Sequence, residues 1–107
     1  MHVSAYFHPD VPEQRRFDVR DQIAQSTDVL KVRYVSADEA NRWMQQRMPA
    51  MEGILAELGS DTLPASLEIS LTPASAKPGQ IDDFARTLSV TDFSDVDYGQ
   101  ELSLIHI

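Results

Sequence analysis

One stretch decides the fold, because a helical segment ends before it and a central strand begins within it: Leu63-Pro64-Ala65-Ser66-Leu67-Glu68-Ile69-Ser70-Leu71. In its second half three apolar residues alternate with two polar ones, and this period of two is typical of a strand with one buried and one wet face. Pro64 lacks a backbone donor and pushes the residue before it out of the helical region. The stretch therefore predicts that a helix has ended by here and that a central strand follows.

Composition excludes several classes of function. The 107 residues include no cysteine, which excludes disulfides, thiolate metal sites and cysteine nucleophiles. The formal net charge is −8, and from Asp61 onward eight acidic residues outnumber two basic ones, Lys77 and Arg86. Such a surface repels nucleic acid and anionic lipid headgroups. Without a glycine-rich loop, a metal-ligand spacing or a long apolar run, we expect no cofactor, no nucleophilic site and no membrane insertion by this segment.

The N-terminal half predicts two strands separated by a helix. Apolar residues alternate with polar ones in both strands: Val3, Ala5 and Phe7 in the first, and Leu30, Val32 and Tyr34 in the second. Between them, Asp10 is expected to cap a helix that has Pro12 in its first turn and runs to about Gln25.

A longer helical segment follows the second strand. Ser36, with Glu39 three residues later, forms the clearest capping box in the chain. An apolar stripe with spacings of three and four starts there: Ala40, Trp43, Met44, Met48, Met51, Ile54, Leu55 and Leu58. We expect Pro49 to kink this segment or to open a second helix, and Gly59 to end it.

The C-terminal third predicts a short helix and a last strand. Four apolar residues stand at i, i+3, i+4 and i+7: Ile81, Phe84, Ala85 and Leu88. After a loop from Pro73 to Gly79, Asp82 and Asp83 are expected in the first turn of this helix. Val96 and Tyr98 mark the strand.

Three acidic residues beside this last strand lack the pattern of a calcium loop and are expected to form a solvated edge: Asp92, Asp95 and Asp97.

This order of elements predicts an α+β fold. Two β-α-β units with right-handed crossovers interleave into a four-stranded antiparallel sheet with helices on one face, the ferredoxin-like arrangement. The second and third strands of that arrangement are normally joined by a tight turn, whereas here a helical insertion separates them. We therefore predict a single domain over residues 1–101, with a sheet lobe (1–36 and 62–101) and an inserted helical lobe (37–61). We expect function to reside in the insertion.

Four blocks, in this order, resemble the extracytoplasmic domain of FtsX, the permease-like membrane component of a bacterial cell-division complex. They are Pro9-Asp10-Val11-Pro12-Glu13; Tyr34-Val35-Ser36 with Asp38, Glu39 and Ala40; Leu63-Pro64-Ala65-Ser66-Leu67-Glu68; and Val96-Asp97-Tyr98-Gly99-Gln100-Glu101. Each block alone is a cap or a turn, but the set is fairly specific in this order and spacing.

The resemblance implies an interaction domain outside the cytoplasm, in a loop of an integral membrane protein, and no enzymatic activity. In that family the domain docks a coiled-coil peptidoglycan hydrolase, or an activator of one, and relays conformational changes driven by a cytoplasmic ATPase subunit. Exposed apolar residues of the helical lobe form the binding surface. On this chain the resemblance implies that the surface draws on Trp43, Met44, Met48, Met51, Ile54 and Leu55.

Three departures from the family pattern are visible. Asn41 stands where the family usually has an apolar residue, and Trp43 stands where a polar one is common, which predicts a rotated apolar face on the first inserted helix. Residues 102–107 do not continue as the family does, and we expect them to be a truncation or a foreign tail outside the fold. Two alternatives remain open at this point: the corresponding domain of another ABC-type permease, and a small-molecule regulatory module of ferredoxin-like fold.

Overall fold

The computed structural model describes residues 2–47 and 63–98. Within these ranges the chain forms four strands, three helices and a short 3₁₀ turn. The strands are β1 (His2–Phe7), β2 (Val29–Val35), β3 (Ser66–Leu71) and β4 (Phe93–Asp97). The helices are α1 (Glu13–Ala24), α2 (Ala37–Arg47) and α3 (Pro78–Arg86), and the 3₁₀ turn is Pro73–Ser75.

The strands form one antiparallel sheet in the order β2-β3-β1-β4. Leu67 on β3 lies opposite Ala5 on one side and opposite Tyr34 on the other. On the outer side of β1, Ala5 lies opposite Val96 of β4. This order confirms the predicted α+β class with two β-α-β units and an insertion between β2 and β3.

The core lies between one face of the sheet and two helices. Leu67 and Ile69 are fully buried on that face, as the alternation in β3 predicts. Val19 of α1 and Phe84 of α3 belong to the same cluster, so both helices cover this face. Full burial of such a side chain stabilises the fold by about 1.5–3 kcal/mol, and β1 and β3 each bury three apolar side chains in this core.

The first helix begins later than the sequence indicated. Pro12, in an extended conformation, is the residue before α1, and no side chain caps the helix. The N–H of Val11 donates to the carbonyl of His8, and the Val11 side chain is buried. Because this turn draws residue 11 into the core, the helix starts only after Pro12. The predicted cap at Asp10 is therefore wrong, and Asp10 is exposed in the turn.

The third helix begins earlier than expected. Pro78 occupies its first turn, where a missing backbone donor has no cost, so Asp82 and Asp83 do not lie in the first turn. Asp82 instead accepts hydrogen bonds from Arg86 at 3.0 Å and from the Tyr98 hydroxyl at 2.7 Å. The bond to Asp82 raises the pKa of the Tyr98 phenol. The residue that follows β4 is thereby fastened to α3.

The predicted solvated acidic edge is wrong for Asp92, which is 5% exposed. Its two carboxylate oxygens accept hydrogen bonds from Nε and Nη2 of Arg15, each at 3.1 Å. This bidentate pair raises the pKa of the Arg15 guanidinium. A buried carboxylate needs such a partner, and here it joins α1 to the turn before β4. Asp95 and Asp97 are exposed, as expected.

The alternation predicted for β2 fails at Leu30, which is 66% exposed. Val29 pairs with Leu71 and Lys31 pairs with Ser70, so β2 advances two residues while β3 advances one. This β-bulge leaves Leu30 as the extra residue. Val29 packs against the core in its place.

Candidate partner-binding surface

The insertion leaves the sheet through a capped helix. The Ser36 hydroxyl accepts a hydrogen bond from the Glu39 N–H at 3.0 Å, which confirms the predicted N-cap of α2. The Glu39 carboxylate accepts two hydrogen bonds from Arg33 of β2, at 2.7 and 2.9 Å. One acidic residue therefore ties the first turn of α2 to the strand that precedes it.

The Asn41 side chain joins α2 to the residue with which the described chain resumes. Its Oδ1 accepts a hydrogen bond from the Leu63 N–H at 2.9 Å. Its Nδ2 donates to the carbonyl of Leu63 at 3.3 Å and to that of Ala37 at 2.6 Å. We call this set of three bonds the Asn41 clasp. An apolar residue at position 41 could make none of these hydrogen bonds, including the two with the backbone of Leu63.

The aromatic residue of α2 is open to solvent. Trp43 is 46% exposed, and the guanidinium of Arg47, one turn further along the helix, lies 5.3 Å from its ring centroid. Met44 is half-buried. By contrast, Phe7 and Phe93 are buried and stack with ring centroids 4.7 Å apart. Within the described ranges, Trp43 is thus the aromatic ring best placed to meet another molecule.

Of the six residues predicted to bind a partner, two lie on described structure. Trp43 and Met44 are neighbours on α2. Met48, Met51, Ile54 and Leu55 lie outside the described residues, as do the kink expected at Pro49, the helix end expected at Gly59 and the tail over residues 102–107. The sequence reading of the site missed Arg42 and Arg47, although both stand beside Trp43 in the sequence RWMQQR (residues 42–47).

The helix-free face of the sheet carries a polar cluster around Glu68. One carboxylate oxygen of Glu68 meets Nε2 of His2 at 2.5 Å and accepts from the Ser4 hydroxyl at 2.7 Å; the other accepts from the Ser66 hydroxyl at 3.0 Å. In a nucleophilic triad the histidine bonds the serine, whereas here His2 and both serines bond the same carboxylate. The cluster therefore holds neighbouring strands together and has no activated nucleophile.

In the part of the chain that the structure describes, no three histidine, aspartate or glutamate side chains converge on a possible metal site. None of the described helices is long and apolar enough to cross a membrane.

Comparison with known proteins assigns the family. No curated protein matches the chain. The family described as "FtsX extracellular domain" matches residues 1–103, nearly the whole chain. The matched region contains the four strands of the sheet and the insertion between β2 and β3. Helix α2 and the Asn41 clasp therefore lie within it. The chain therefore belongs to the FtsX extracellular domain family, a non-catalytic extracellular part of the permease-like protein in a cell-division ABC-type complex.

Proposed function

We propose that this domain docks a helical segment of a coiled-coil peptidoglycan hydrolase, or of an activator of one, on the apolar face of the insertion over residues 37–61. The observation that carries the proposal is the exposure of Trp43 on α2. Tryptophan is enriched among the residues that dominate binding energy at interfaces. Trp43 lies on a helix outside the sheet core and is half-exposed in the free domain, so a partner could bury its ring on binding.

The chemistry of the stripe fits a helical partner. Helix-in-groove recognition uses anchors at i, i+3, i+4 and i+7, and Trp43 and Met44 follow Ala40 at i+3 and i+4. Methionine side chains adapt to irregular partner surfaces. We propose that the binding surface continues along the sequence through Met48, Met51, Ile54 and Leu55.

The position of the insertion suits a relay. The Arg33–Glu39 pair ties α2 to β2, and the Asn41 clasp ties it to the approach to β3. We propose that motion driven by the cytoplasmic ATPase subunit changes the orientation of the insertion and so switches the docked hydrolase. A partner shifts such an equilibrium only through a difference in affinity between the two orientations.

A binding titration tests the proposal. The purified domain is titrated with the coiled-coil region of a division hydrolase or activator from the same genome. We expect Trp43→Glu to weaken binding about thirty-fold or more, because loss of an interfacial anchor costs at least about 2 kcal/mol. Val90→Glu is the matched control, since Val90 is 85% exposed and lies outside the insertion. Circular dichroism confirms that both variants fold.

The outcomes separate the site from the function. Loss of binding in Trp43→Glu alone supports docking on the insertion, and Met48→Glu and Ile54→Glu variants then extend the surface. Binding that survives Trp43→Glu, Met48→Glu and Ile54→Glu would move the site elsewhere on the domain. A wild-type domain that binds neither hydrolase nor activator would contradict the proposed partner class.

A further inference from the structure

The second half of α2 is basic, although the protein as a whole is acidic. The protein has a net charge of −8, yet the stretch from Arg42 to Arg47 contains two arginines and no acidic residue. Both arginines are exposed and lie on either side of Trp43 in the sequence. An exposed aromatic ring in an acidic domain thus stands between two positive charges.

These two arginines also differ from the others in their contacts. The other five each donate a hydrogen bond to a side chain: Arg15 to Asp92, Arg16 to Tyr34, Arg20 to Asp21, Arg33 to Glu39 and Arg86 to Asp82. Among the described residues, Arg42 and Arg47 have neither a hydrogen-bond acceptor nor an ion-pair partner. When only acceptors in residues 2–47 and 63–98 are considered, the two guanidinium groups without one are those next to Trp43.

The contact of Arg47 with Trp43 leaves that guanidinium able to bind. A guanidinium over an aromatic face is held by the ring electrons, and its N–H groups remain directed outward in a planar fork. That fork matches a carboxylate, with two parallel hydrogen bonds. Arg42 precedes Trp43 by one residue and therefore points about 100° away around the helix. Arg47 thus lies over the Trp43 ring, and Arg42 lies on a neighbouring face of the helix.

We infer that the partner helix presents carboxylates on both sides of the apolar residue that packs on Trp43. This inference rests on the proposed docking function and adds the charge of the partner to it. Opposite charges across an interface rim steer the encounter and raise the association rate, and they reject partners of the wrong sign. An acidic helix would otherwise be repelled by a domain of net charge −8.

The first test needs no partner, because Trp43 is the only tryptophan of the chain. Its fluorescence is quenched with iodide and with caesium, and the ratio of the two quenching constants is compared with that of free N-acetyltryptophanamide. We expect iodide to be favoured in the wild type despite the net negative charge. The double variant R42Q/R47Q should lose this preference, whereas Lys31→Gln, an exposed basic residue on β2, should keep it. A wild-type ratio that favours caesium would overturn the inference.

The second test uses the coiled-coil region named above, at about 0.05 M and 0.3 M salt. Exposed ion pairs are individually weak and are screened by salt, so we expect R42E/R47E to weaken binding about ten-fold at low salt and to remove most of the salt dependence. Lys31→Glu, which reverses one exposed basic residue on β2, is the control for a charge reversal outside α2. Reversal of the matching glutamates of the coiled coil to lysine should restore binding to R42E/R47E.

The two proposals fail in different ways. If Trp43→Glu abolishes binding while R42E/R47E binds like the wild type at both salt concentrations, the partner charge is wrong and the docking function stands. If the wild-type domain does not bind, both are overturned. A role of Arg47 confined to the helix C-terminus would lower helix content in R47E without changing the ratio of quenching constants in R42Q/R47Q.

Discussion

At the scale of single residues, the bulge in β2 decides which leucine contributes to stability. Leu30 and Leu67 both lie in strands, but Leu30 is 66% exposed and Leu67 is fully buried. The extra residue rotates the start of β2, so Val29 enters the core. A shift of one residue moves every side chain of a strand to the opposite face of the sheet. The bulge therefore explains how Leu30 can be exposed although apolar and polar residues alternate in the sequence.

Leucine-to-alanine substitutions at these two positions make a matched pair. We expect Leu67→Ala to lower the free energy of unfolding by about 2–5 kcal/mol, because it removes buried contacts and leaves a cavity. Leu30→Ala should change it by less than about 0.5 kcal/mol. Urea denaturation followed by circular dichroism measures both.

If Leu67→Ala is too unstable to fold, Ile69→Val is the milder substitution, with an expected loss of about 0.5–1.5 kcal/mol. A large loss in Leu30→Ala would mean that β2 is regular in solution and that Leu30 belongs to the core.

At the scale of elements, the Asn41 clasp determines how α2 meets β3. Only one side chain is involved, yet it bonds a helix carbonyl and both backbone groups of Leu63. Leu63 directly precedes Pro64, which has no N–H of its own to give. The clasp thus supplies hydrogen bonds at a junction where the chain cannot form a regular ladder.

Removal of the clasp should affect the junction and not the sheet. In Asn41→Ala we expect the Leu63 amide to exchange with solvent about ten-fold faster, because each lost bond contributes about 0.5–1.5 kcal/mol. The Leu67 amide should exchange as before. Gln45→Ala is the control, since Gln45 is exposed on the same helix. Equal exchange of the Leu63 amide in Asn41→Ala and the wild type would contradict this role. Hydrogen exchange measured by NMR gives both rates.

At the scale of the whole molecule, the sheet lobe has a core of its own. Every buried apolar residue within the described ranges lies before residue 36 or after residue 64. Val35 and Ser66 are already paired across β2 and β3, so the strands meet where the insertion starts and ends. The core of the sheet and the proposed binding surface therefore lie in different parts of the chain.

This separation predicts that the sheet lobe folds without the insertion. We expect a variant with residues 37–63 replaced by Asn-Gly to keep the four-stranded sheet, because the remaining connection has the length of a common hairpin loop. It should unfold cooperatively in urea, keep the cross-strand contacts of β2 and β3 in NMR spectra, and fail to bind the coiled coil. An unfolded variant would show that the insertion completes the core.

The sequence predicts the topology well, because alternation in β3 and the capping box at Ser36 are local signals. It does not predict contacts between residues far apart, and Arg15 and Asp92 are 77 positions apart. Nor does it predict the bulge at Leu30, because either of two adjacent apolar residues can face the core. For the proposed binding surface, the family resemblance named Trp43 and Met44, and both lie on α2. That Arg42 and Arg47 have no acceptor among the described residues becomes visible only once the partners of the other arginines are known.

The first and last strands of the sheet are neighbours. Ser4 of β1 lies opposite Asp97 of β4, and the two strands are antiparallel. The start of β1 and the end of β4 therefore emerge side by side from the same end of the sheet. A mechanical pull that separates them loads the hydrogen bonds of this pair one after another, like a zipper.

Two side chains oppose that opening. His2 is fastened to Glu68 of β3, and Tyr98 is fastened to Asp82 of α3, so neither end is held only by the strand beside it. A force applied at the start of β1 therefore loads the His2–Glu68 contact before it loads the backbone hydrogen bonds between β1 and β4. β3 is also the strand through which the chain returns from the insertion, so the same strand that bears the load leads directly to the Asn41 clasp.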